Sequence, residues 1–87
     1  MEARLTIFEQ VRAIASDILA TPTERLSSES SPETVESWDS IQHLNLVLAL
    51  EEKFNVQLSP EEIEQMSSIG QIARVLEGKV QALRAHV

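Results

Sequence analysis

From Ser40 to Phe54 the chain contains neither glycine nor proline, and its apolar residues recur at helical spacing. Asp39, just ahead, is a good N-cap for a helix that opens at Ser40. Leu46, Val47, Leu50 and Phe54 share one face of this helix, which suits a core. Ile41, Leu44 and Leu48 form a second apolar stripe at i, i+3 and i+7. A helix that is apolar on two sides needs two coverings, and in a small domain the core rarely supplies both. The second stripe is therefore read as an exposed ridge, bordered by Glu51 and Glu52, that docks on partner proteins. Burial of both stripes is the alternative.

The flanking segments predict further helices. Phe8, Val11, Ile14, Ala15, Ile18 and Leu19 recur at helical spacing in a segment running from about Leu5 to Leu19. Thr6 and Glu9 have the form of a capping box, although a start nearer Glu2 is equally open. Pro22 disfavours helical geometry at Thr21 and ends this helix. Residues 21–38 then form a long loop rich in Ser, Thr, Glu and Pro, with Leu26, Val35 and Trp38 as its anchors. It is expected to be ordered but irregular, with a short helical turn. Ser59-Pro60-Glu61-Glu62 opens a short third helix with Ile63 and Met66 facing inward. Ser67 or Ser68 caps a last helix carrying Ile69, Ile72, Ala73, Leu76, Val80 and Leu83, whose final turns Gly78 should loosen.

Eighty-seven residues, 43% of them apolar, suffice for one domain with one core. Two glycines and three prolines are too few for a turn-rich β protein. The absence of cysteine excludes a disulfide, a thiolate metal site and a cysteine nucleophile. No apolar run is long enough to span a bilayer, and no signal-peptide core opens the chain, so a cytoplasmic location is expected. The formal charge is −7, and residues 24–64 alone hold ten acids against two bases. Such a surface disfavours nucleic acid. It suits electrostatic steering toward basic partners, or simply a well-solvated acidic surface.

Ser40 carries the chemical interest. Its hydroxyl sits at a helix N-terminus, where free backbone N–H groups and the positive end of the dipole would stabilise a phosphodiester. Asp-Ser at a helix start is also ordinary capping. His43 lies three residues on, but no orienting group or oxyanion motif accompanies it, so a Ser-His hydrolase is not supported. A packed or half-exposed histidine is the better reading, as is a loop anchor for Trp38. Glu61, Glu62 and Glu64 lack the ligand spacing of an EF-hand and fit capping and a solvated face.

Together, Asp39-Ser40-Ile41, the run Leu46-Val47-Leu48-Ala49-Leu50-Glu51-Glu52-Lys53-Phe54 and Pro60-Glu61-Glu62-Ile63 resemble the acyl carrier proteins over nearly the whole chain, from about Leu5 to Val80. The resemblance implies an all-α, four-helix acyl-carrier-like bundle with a long first loop and a short third helix, filling residues 1–87 as one domain. It implies a 4′-phosphopantetheine arm on Ser40 that holds acyl groups as thioesters, with no catalysis by the chain itself. Asp39 looks like the acid that helps position metal and cofactor in the modifying transferase. Ile41, Leu44, Leu48, Glu51 and Glu52 match the family's partner-facing side. Expected partners are a phosphopantetheinyl transferase and the enzymes that load and unload the acyl group. The chain itself would be a monomer, without nucleic acid, membrane insertion or resident metal.

The sequence departs from fatty-acid carriers at several points. Ser37-Trp38 replaces the glycine usual before Asp-Ser, Ile41 replaces the commoner leucine, and Gln42 and Asn45 stand where acids are frequent. The Trp-Asp-Ser form looks more like stand-alone carriers of specialised pathways. A peptidyl or aminoacyl carrier of the same fold, or an unmodified helical adaptor, are the rival readings.

Overall fold

The computed structural model describes residues 6–85, with side chains as far as Ala82. It contains four α-helices: α1 (Ile7–Leu19), α2 (Ser40–Phe54), α3 (Pro60–Gln65) and α4 (Ile69–Ala85). A single 3₁₀ turn, Thr23–Arg25, interrupts the loop between α1 and α2. Among the described residues there is no strand.

Each start follows from local chemistry. The Thr6 hydroxyl accepts from the Glu9 amide and the Glu9 carboxylate accepts from the Thr6 amide, so α1 opens at the capping box. Asp39 caps α2, and Ser59 with Glu62 forms the reciprocal box on α3, with Pro60 in its first turn. Helices α1 and α2 both end on a left-handed residue, Ala20 (φ 52°) and Asn55 (φ 56°), whose amides return to Ser16 and Glu51. Helix α4 runs on through Gly78 to Ala85.

Helix α1 packs on both α2 and α4, and α3 packs on α4. Val11, Ala15 and Leu19 of α1 meet Leu46, Val47 and Leu50 of α2 and Ile69, Ile72 and Leu76 of α4 in one buried cluster. Phe8, Ile14, Ile18 and Phe54 pack on its margin, half-buried. Leu83, expected in the α4 stripe, and Leu5 lie outside the described side chains. Burial of one such Leu or Ile contributes about 1.5–3 kcal/mol, so this cluster is the main source of stability.

The long loop is ordered because it completes other elements. Leu26, Val35 and Trp38 are buried in the core as expected. The loop also supplies acceptors to α4. The Ile69 amide donates to the Ser30 carbonyl at 3.0 Å and the Gly70 amide to the Ser28 carbonyl at 2.8 Å. Gln71 and Ile72 donate to the Ser68 hydroxyl and carbonyl. The first three amides of α4, which a helix leaves without an intrahelical partner, are thus satisfied, and Ser68 rather than Ser67 is the cap. Ser30 itself is buried, its hydroxyl accepting from the Ser27 amide.

Candidate functional site

Asp39 and Ser40 sit where the loop meets α2. The Asp39 carboxylate accepts from the Gln42 amide at 2.9 Å, which fixes the first turn. Ser40 is the first helical residue and is exposed. Its hydroxyl makes no hydrogen bond to any described residue, and no described acceptor meets the Ser40 or Ile41 amides. By contrast, the hydroxyls of Ser16, Ser27, Ser30, Ser31, Ser37, Ser59 and Ser68 are all engaged by the backbone. Ser28 and Ser67 also have free hydroxyls, but neither lies on a helix.

The segment before Ser40 is tied down on both sides. The Ser37 hydroxyl donates to the Leu19 carbonyl at 2.7 Å, and the Gln42 side chain donates to the Ile18 carbonyl at 3.2 Å. Asn45 in turn donates to the Gln42 side-chain oxygen at 2.8 Å. Ser37, Gln42 and Asn45, three of the departures from fatty-acid carriers, therefore clamp the start of α2 to the end of α1. Trp38 is buried, and its indole N–H donates to His43 Nδ1 at 3.0 Å with the rings stacked. His43 is half-buried, packed as expected, but its link to Trp38 was not legible in the spacing.

Trp38, Asp39, Ser40, His43 and Leu44 from α2 and its approach face Ile63, Glu64, Met66 and Ser67 across an open groove of about 670 Å³. On the outer side of α2 lie Ile41 (70% exposed), Leu44 (57%) and Leu48 (63%), the exposed large apolar side chains among the described residues. The two stripes thus divide as expected, one into the core and one into solvent. Glu52 is exposed beside the ridge. Glu51 is half-buried, and its carboxylate accepts from the Leu58 amide at 2.9 Å, so it also holds the segment leaving α2. Among the described residues no three His or acidic side chains gather as metal ligands.

Residues 9–76 match the model of the phosphopantetheine attachment site family. The acyl carrier protein of Wolinella succinogenes is 32% identical over 73 residues, covering 84% of this chain and 96% of the relative. The chain belongs to the acyl carrier proteins. The carrier from Thermosynechococcus vestitus is 33% identical over 76 residues, covering 87% of this chain and 94% of its own. The solution structure of a holo acyl carrier protein from Geobacter metallireducens superposes with a TM-score of 0.83 over 95% of both chains, at 20% identity. This chain is accordingly a phosphopantetheine-bearing acyl carrier and not an enzyme. Its free, exposed hydroxyl, two unpaired amides beside it and an open groove alongside fit such a group.

Proposed function

We propose that Ser40 bears the phosphopantetheine arm of this carrier. The observation that supports the assignment is the free hydroxyl of Ser40 at the head of α2, beside unpaired amides and the groove. Asp39 holds the first turn, so Ser40 is presented to the transferase on a rigid helix end, while its carboxylate stays exposed for the transferase to use. Bonded to Ser40, the arm supplies a terminal thiol that carries an acyl group as a thioester. The chain's own part is to hold the attachment point and to be recognised.

Recognition falls to Ile41, Leu44 and Leu48, with Glu52 and the outer edge of Glu51 beside them. An apolar ridge flanked by carboxylates fits a partner surface that is apolar at its centre and basic at its rim. Partners of this kind are the transferase and the enzymes that load and unload the acyl group.

Incubation with coenzyme A and a broad-specificity phosphopantetheinyl transferase tests the assignment by intact mass. The wild type should gain one phosphopantetheine and Ser40→Ala none. Addition to Ser40→Ala would move the site elsewhere. Failure of the wild type with several transferases would remove it.

A further inference from the structure

The indole N–H of Trp38 donates to His43 Nδ1 at 3.0 Å, with ring centroids 6.0 Å apart and 25° between the planes. Trp38 is 2% exposed, so its donor is fixed by the core. A ring nitrogen that accepts a hydrogen bond carries no proton, and the neutral imidazole then holds its proton on Nε2. His43 therefore offers an N–H of set position instead of one shared between two nitrogens. No described residue accepts that proton.

The ring lines the same groove as Ser40, whose wall is continued by Leu44, Ile63 and Met66. Ser40 and His43 are three residues apart on one helix, which sets their Cβ atoms about 5–6 Å apart. A chain bonded to Ser40 thus brings its first few bonds within reach of His43. Asp39 and Glu64, also on the groove, offer carboxylates that only accept hydrogen bonds when ionised. The arm's first half is rich in acceptor oxygens, in its phosphodiester and its first amide carbonyl. The unpaired amides of Ser40 and Ile41 can meet the phosphodiester, and beyond them the His43 Nε2–H on α2 and the Ser67 hydroxyl on the facing wall are donors beside the groove.

Resting on the Ser40 assignment, we propose that His43, held by Trp38, is a positioning residue for the arm. Its Nε2–H donates to an acceptor oxygen in the arm's first half and turns the arm into the groove. The contact reads the arm and not the cargo, so it is the same whatever acyl group is loaded.

The test compares apo and holo protein labelled with ¹⁵N-histidine, after intact mass has confirmed one addition at Ser40. The His43 Nε2–H resonance should move on conversion to holo, and ring protons should show NOEs to the arm's gem-dimethyl protons. Both signals should persist with a short and a long acyl group loaded. Ser40-modified His43→Leu should lose the arm's NOEs to this region. His43→Gln, whose amide nitrogen stands near the place of Nε2, should restore them, and Trp38→Phe, which keeps a ring but removes the donor, should weaken them. A ³¹P shift that changes in His43→Leu assigns the contact to the phosphodiester. An unmoved ³¹P signal with a shifted first amide carbonyl assigns it to that carbonyl. If the leucine variant does not fold, the wild-type apo–holo comparison decides. Holo protein with an unmoved Nε2–H and no NOE overturns the role of His43 and leaves Ser40 standing. Absence of any addition at Ser40 overturns both.

Discussion

The amide of Gly70 donates to the carbonyl of Ser28 at 2.8 Å, and a Cβ on residue 70 would stand 2.9 Å from that same oxygen. The contact joins the long loop to the head of α4, and only a residue without a side chain allows it. Gly78, on the same helix, would place a Cβ in open space.

The two glycines should therefore respond to alanine with opposite signs. Gly78→Ala gains helix propensity and should stabilise by about 0.5–1 kcal/mol. Gly70→Ala forces backbone apart and should destabilise by about 1–3 kcal/mol. In a domain of this size each kcal/mol moves the melting midpoint by roughly 4–8 °C, so thermal melts read both. A Gly70→Ala midpoint at or above wild type would show that the loop yields freely.

Leu48 and Leu50 lie two residues apart on α2, one 63% exposed and the other fully buried. Leu50→Ala should cost about 2–5 kcal/mol. Leu48→Ala should stay within about 0.5 kcal/mol, yet be modified or acylated more slowly. Melting of the pair, with transferase kinetics on Leu48→Ala, checks this. Unfolding of Leu48→Ala would reverse the two faces, and unchanged kinetics with every partner would place the docking ridge elsewhere.

The Ser59 amide, and then Lys79 at 2.9 Å, hold the Glu62 carboxyl below its ordinary value of 4.5. Its stabilising contribution is complete above that value and fades as pH falls through the lower, folded value. Glu62→Gln keeps a capping side chain but loses the charge, so it should cost at most about 1 kcal/mol at neutral pH. The gap between variant and wild type should close as denaturation is followed to pH 3. A gap that is constant with pH would mean that the charge contributes nothing.

Residues 24–64 carry ten acids and two bases, and Glu62–Lys79 is the ion pair among the described residues. The acids repel one another, and salt screens repulsion between exposed charges. Melting midpoints should rise from low salt to 0.15 M salt, and again with magnesium. Midpoints that stay level in both additions would mean the acids are compensated locally.

The sequence by itself determined the helices, because their signals are local. Spacing set the apolar faces, and side chains three residues away closed the caps at Thr6, Asp39 and Ser59. The same locality made Asp39-Ser40 visible as a candidate site and made the two stripes of α2 visible as stripes. Tertiary structure decided which stripe met the core, since a helix alone treats both alike; packing of α1 against α2 left Ile41, Leu44 and Leu48 outside. It also decided what orders the long loop, because the acceptors at Ser28 and Ser30 are backbone carbonyls that every residue possesses. The contacts of Trp38 with His43, Gln42 with Ile18 and Glu51 with Leu58 have the same cause. Each joins a side chain to a group placed by the fold, and no local pattern marks it.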